Sequence, residues 1–254
     1  MILLSSFVFG LVFGSFLNVV IYRLKTRQKL CFSGSLCPEC KIRLKWYDLM
    51  PLLSFIFLKG HCRYCGKKIS WQYPLVEFLS GLIWISIAYK SNFQFSINFQ
   101  SIFNFQFFNF IYYIFIFSVL LVIAVYDFKW RIIPDKIVYL AIVIALIYNL
   151  FNALSLFTAS VAFLFFFLIF YFSSGRAMGL GDAKLAFLIG LFLSPLLAIA
   201  AFMSAFIIGA VFGIILIGFG KKTLKSQIAF GPFLILGAFI VFFFSSFFVK
   251  LFNF

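Results

Sequence analysis

The sequence predicts an all-α polytopic membrane protein, with about eight transmembrane helices and a small cytoplasmic four-cysteine insert after the first. Three observations predict it. Hydrophobic residues make up 65% of the 254 and charged residues 11%, against roughly 25% charged in soluble domains. Charge is absent from 1–22, 91–126, 137–175, 185–220 and 227–249. A span needs about 20 apolar residues, so three of these stretches suffice for two helices or for a helix and a loop. Lipid offers the backbone no hydrogen bonds, which leaves helices or closed barrels. The third observation is the polar exception, a cysteine-rich stretch soon after the first apolar run.

A net charge of +15 would suggest nucleic acid as the partner of a soluble protein. Its placement points to a membrane surface instead. Eleven of the 21 Lys and Arg residues lie between Arg23 and Lys68, and the rest gather in short loops. The positive-inside rule reads such loops as cytoplasmic, beside anionic headgroups. No basic residue precedes the first apolar run, so it reads as a span that starts outside and not as a cleavable signal.

The first span, within 1–22, carries Gly10, Gly14, Ser15 and Asn18. Small residues let helices approach closely, and a buried Asn can bond across the seam. The insert, 23–73, follows. Its spacing Cys37-x2-Cys40-x21-Cys62-x2-Cys65 is close to that of a four-thiolate zinc site. Two knuckles each supply two thiolates to a tetrahedral ion, zinc or another metal such as iron. Two disulfides or four unrelated thiols are the alternatives, and a reducing cytoplasm disfavours the disulfides. Cys31 reads as a bystander, and His61, beside Cys62, receives no role. Between the knuckles, Trp46 to Phe55 is too apolar for a free linker and is expected to fold back on the membrane surface.

Tyr73-Pro74-Leu75-Val76-Glu77 opens the second span, with Glu77 read as a helix-terminus residue; binding a cationic ligand is its other reading. Residues 91–108 repeat Asn, Gln, Ser and Phe and read as an outside loop. The third span ends at Tyr126-Asp127, and a short loop to Lys136 leads to the fourth. Asn149, Asn152 and Ser155 mark the turn into the fifth, which ends near Ser174. Gly179-Leu180-Gly181-Asp182 precedes a sixth helix expected to begin at Ala183. Ser194-Pro195 reads as a cap and helix start, so the sixth helix is short and the seventh long. Lys221, Lys222 and Lys225 form the last cytoplasmic loop before the eighth span. This topology puts 19 of the 21 basic residues and all six acids on the cytoplasmic side.

Six acids are few enough to weigh singly. Asp135 reads as an N-cap, Glu39 and Asp48 as solvation of the insert, and Asp182 as a possible cap. Asp127 has no such explanation, because the helix dipole disfavours negative charge at a C-terminal end. An ionisable group there is a functional candidate. Asp127 and Asp182 on one membrane face suggest aspartyl chemistry, in which one carboxylate activates water and its protonated partner assists the carbonyl and leaving amine.

Taken together, these residues resemble a known family, the bacterial prepilin peptidases. The resemblance runs from Gly14-Ser15-Phe16-Leu17-Asn18-Val19-Val20-Ile21-Tyr22-Arg23-Leu24 to Phe230-Gly231-Pro232. It takes in both knuckles, Trp46 to Ser54, Tyr73 to Glu77, Asp127, Ile133-Pro134-Asp135 and Gly179 to Lys184. It implies a membrane aspartyl protease with catalytic Asp127 and Asp182 in a core spanning 74–254, and metal ligands Cys37, Cys40, Cys62 and Cys65. The implied reactions are cleavage of the basic leader of a type IV prepilin or type II secretion pseudopilin after Gly, and methylation of the new N-terminal residue. S-adenosylmethionine is the implied methyl donor, the resemblance associates methylation with forms that carry the 23–73 insert, and the cell inner membrane is the implied location. The competing readings are a peptidase with a purely structural insert, a transporter with an Asp ion site, and a structural subunit whose aspartates only cap helices.

Overall fold

Apolar runs of this length fold as helices, and the computed structural model, which describes residues 2–28, 34–91, 105–220 and 228–252, contains no strand among them. The helices are α1 (Ile2–Thr26), α2 (Leu53–Phe57), α3 (Gln72–Lys90), α4 (Phe105–Trp130), α5 (Asp135–Tyr148), α6 (Ala153–Phe172), α7 (Leu180–Phe192), α8 (Pro195–Gly218), α9 (Gly231–Phe243) and α10 (Ser245–Phe252). The expectations for Cys31, for Lys221, Lys222 and Lys225, and for most of the 91–108 loop fall outside the described residues. Chain contacts divide the protein into two units, Met1–Val122 and Ile123–Phe254.

Among the described residues, four helices are long and apolar enough to cross a membrane: Leu3–Thr26, Gln106–Trp130, Ala153–Phe172 and Pro195–Gly218. A fifth follows if α9 and α10, which meet at 84°, make one broken span. The remaining candidates are shorter or more polar. At 14 and 13 residues, α5 and α7 reach only about 20 Å, and α3 carries Glu77 and Lys90. Large apolar side chains cover the outside of the long helices, such as Ile199, Met203, Ile207 and Ile214 on α8. A helix that is apolar all round belongs in a protein core or in lipid. This is a membrane protein.

In the first unit, α1 and α3 pack along a seam of small residues. A Cβ built on Gly14 would stand 2.6 Å from the Glu77 Cα, and one on Gly10 2.8 Å from the Gly81 Cα, so only hydrogen fits at either position. Asn18, 2% exposed, donates across the seam from Nδ2 to the Tyr73 carbonyl at 3.0 Å.

The second unit is built round α7. Leu185, Leu188, Ile189 and Leu191 on it are fully buried, and α5, α6, α8 and α9 all pack on it. Its Gly190 permits the approach of α6, since a Cβ there would meet the Ala159 Cα at 2.6 Å. Local capping differs from expectation in two places. Helix α5 begins at Asp135 itself with Pro134 as its cap, and the Asp135 carboxylate instead pairs with Lys184 at 2.6 Å. Helix α7 begins at Leu180, three residues before Ala183, because its first turn closes on Asp182.

Candidate functional site

Both candidate aspartates lie in the second unit. Asp127 sits near the C-terminal end of α4 and is 4% exposed. Asp182 is the third residue of α7 and is 8% exposed. Its Oδ2 accepts the Gly179 amide at 3.2 Å, the acidic half of a helix cap. Its Oδ1 is buried and has no hydrogen-bond partner among the described residues. Capping therefore accounts for one oxygen and leaves the other free. The two carboxyl groups are near enough for their charges to interact.

Backbone without side chains surrounds the pair. The Gly231 amide at the start of α9 bonds to the Asp127 carboxylate, and a Cβ on Gly231 would stand 2.6 Å from its Oδ2. On the other side, a Cβ on Gly181 would stand 3.0 Å from the Ile133 Cβ, and Ile133 Cδ1 also reaches to 3.4 Å of the Gly231 position. Ile133 thus lies between the glycine beside Asp182 and the glycine beside Asp127. Neither Gly231 nor Ile133 has a chemical group that would mark it as a site residue. The signal available in sequence was only that each sits in a distinctive short motif.

The four knuckle cysteines, Cys37, Cys40, Cys62 and Cys65, are free thiols whose sulfur atoms all lie within 4.8 Å of one another. Sulfurs about 2.3 Å from one Zn²⁺ would be about 3.8 Å apart, so a small contraction brings the set onto a tetrahedral ion. The two knuckles are the same turn built twice. The Cys37 amide donates to the Ile42 carbonyl and the Lys41 amide to the Cys37 carbonyl; Cys62 with Lys67, and Gly66 with Cys62, repeat both bonds. Lys41 and Gly66, each just after the second cysteine, take left-handed φ of 60° and 67°. That turn aims successive amides inward, as an anionic sulfur requires. Burial would raise the Cys37 thiol, but the amides of Cys40 and Glu39 outweigh it and bring it down to about 7. At Cys65 the Lys67 amide lowers the thiol, yet partial desolvation and the neighbouring thiols push it up to about 11. A metal ion held by Cys37, Cys40, Cys62 and Cys65 would displace the remaining protons. His61 stands apart, its Nδ1 donating to the Lys59 carbonyl at 2.7 Å.

The insert acids do more than solvate. Asp48 has a side chain only 3% exposed and binds Arg63 Nε at 2.8 Å. It also accepts the Tyr64 hydroxyl at 2.9 Å and the Lys45 amide at 3.2 Å. Glu39 of the first knuckle pairs with Lys67 beside the second.

Fold and site together define an integral membrane protein with a buried carboxylate pair in one unit and a four-thiol centre in the other. Residues 8–91 match the bacterial peptidase A24 N-terminal domain, and residues 114–214 match the type IV leader peptidase family. The chain belongs to the type IV leader peptidase family. Curated relatives carry the name prepilin leader peptidase/N-methyltransferase. That of Bacillus subtilis is 29% identical over 96% of this chain and 97% of its own length. That of Vibrio cholerae is 29% identical over 92% and 93%. That of Klebsiella pneumoniae is 46% identical, over 34% of this chain and 41% of its own length. No solved structure matches the chain significantly.

Proposed function

We propose that this chain cleaves the basic leader of type IV prepilins or type II secretion pseudopilins and methylates the new N-terminal residue. Family membership and the relatives' bifunctional name support both activities. The observation that carries the mechanism is the free, buried Asp182 Oδ1 within electrostatic reach of Asp127. One carboxylate takes the proton of an attacking water. The other, protonated, hydrogen-bonds the scissile carbonyl and then gives its proton to the departing amine, while the bare backbone at Gly231 lets α9 pack directly against the Asp127 carboxylate.

The eight helices α1, α3–α8 and α9 with α10 are read as eight spans, with the short α7 enclosed by the helices packed on it. Both aspartates then face the cytoplasm in the inner membrane, where a prepilin's leader lies. The division into a first span at 1–22, an insert at 23–73 and a peptidase core at 74–254 follows the same reading. Cys37, Cys40, Cys62 and Cys65 would hold zinc, or another thiophilic metal, as a structural centre of the insert. S-adenosylmethionine supplies the methyl group. With no strand among the described residues, a glycine-rich strand-to-helix site for that donor is not among them.

The test is cleavage of a type IV prepilin by membranes holding wild type, Asp127→Asn or Asp182→Asn, with mass spectrometry of the product N-terminus. Wild type should cut and add the mass of one methyl group, and both variants should fail to cut. A variant that still cuts normally identifies its aspartate as a cap and ends the mechanism. Intact prepilin with wild type ends the substrate assignment.

A further inference from the structure

We infer that Glu77 is a positioning residue for methyl transfer, latching the segment between the cysteine knuckles onto the α1–α3 pair. The inference rests on the bifunctional reading above. Its starting point is Leu52, whose φ of 58° and ψ of −45° are foreign to a residue with a Cβ. The Leu53 amide donates back to the Pro51 carbonyl at 2.6 Å, closing a γ-turn round Leu52 of the rare, strained, positive-φ kind. Such a conformation persists only where its surroundings over-determine it.

Glu77 supplies that constraint. Its Oε2 accepts the Leu52 amide at 2.9 Å, and Ser15 of α1 bonds to the same carboxylate. The side chain has little freedom, for Glu77 is 8% exposed and Gly14 packs directly on its Cα. It stands in the second turn of α3, which begins at Gln72, so a helix-terminus role does not describe it.

From Leu52 the connection continues to the thiols. Four residues before Leu52, the turn at Trp46–Leu49 presents Asp48, which clamps Arg63 and Tyr64 between Cys62 and Cys65. A continuous path therefore runs from the second knuckle through Asp48 and the γ-turn to Glu77 and α1. All of it lies in the first unit, whereas both aspartates lie in the second. A device that sets the pose of the metal-bearing insert on its helix pair acts on methyl transfer, the reaction that the family resemblance associates with the insert.

Full-length wild type, Glu77→Ala, Glu77→Gln and the double variant Glu77→Ala with Leu52→Gly are compared in membranes. Zinc content, prepilin cleavage and methylation are measured, the last with S-adenosylmethionine titrated. Glycine takes positive φ without strain, so Leu52→Gly removes the need for the latch. Glu77→Ala should keep zinc and cleave within about twofold of wild type, yet lose about tenfold in methylation kcat, the effect of one charged hydrogen bond. Glu77→Gln, which retains an acceptor, should keep most methylation, and Leu52→Gly should restore a large part of what Glu77→Ala loses. Normal methylation by Glu77→Ala, joint loss of both activities in Glu77→Gln, or no rescue by Leu52→Gly overturns the inference. Wild type that cleaves but never methylates overturns the bifunctional reading instead, and the inference with it.

Discussion

The Gly231 backbone lies so close to the Asp127 carboxylate that a Cβ at Gly231 would stand 2.6 Å from Oδ2. The clash falls on the far end of a side chain, which can swing away without disturbing the helices. On the proposed mechanism, Gly231→Ala should therefore fold, hold its helices and cleave prepilin at least about a hundredfold more slowly, because a displaced Asp127 carboxylate loses its alignment. Parallel cleavage assays and circular dichroism of purified protein check this. Near-normal cleavage would mean that Asp127 need not stand where it does.

Asp182 carries two duties that one substitution separates. In Asp182→Asn the side-chain oxygen still accepts the Gly179 amide, so thermal stability should change by less than about 1 kcal/mol while cleavage disappears. Asp182→Ala should lose both. Melting curves in detergent beside activity assays distinguish the cap from the free Oδ1.

Acid should loosen the insert through Asp48. Burial would raise its carboxyl, but Arg63, Tyr64 and the Lys45 amide outweigh that and hold it below the usual carboxylate range. A carboxyl depressed in the folded state stabilises above its unfolded pKa of about 3.9 and loses that contribution as pH falls through the folded value. Asp48→Asn should cost about 2 kcal/mol near neutrality, and its deficit against wild type should shrink below about pH 4. Hydrogen exchange over residues 41–70 across pH 3–7 measures the gap.

Metal affinity at the thiols should rise with pH, since binding displaces protons from the sulfurs. With Cys37 lowered to about 7 and Cys65 raised to about 11, mildly acidic buffer should release zinc that neutral buffer retains. Removing the metal with a chelator, or substituting Cys62→Ser, should abolish protection of the insert while prepilin is still cut. Elemental analysis after dialysis at stepped pH, with cleavage measured on the same samples, tests both statements.

Much of this protein was legible in its residues one by one. Apolar runs of span length, interrupted at Arg23, Asp127, Lys136, Arg176 and Lys221, mark out the helical membrane architecture, because lipid tolerates few charges. The knuckle spacing points to four thiols converging, since a tight turn brings paired cysteines together locally. Asp127 stood out because no rule of helix capping required it. Local rules were less secure at Asp135 and at the start of α7, where a long-range pair with Lys184 and the closure of the first turn on Asp182 prevailed over capping statistics.

Composition and short spacing were thus enough for the class of fold, the convergence of the four cysteines and the candidacy of the two aspartates. That Gly231 faces Asp127, that Ile133 lies between two glycines, and that Glu77 accepts the Leu52 amide emerge only once the helices are packed. The residues of each such contact are separated by tens of positions in the chain, or by more than a hundred. No periodicity connects them, and only the packing of one helix on another brings a bare backbone to a carboxylate.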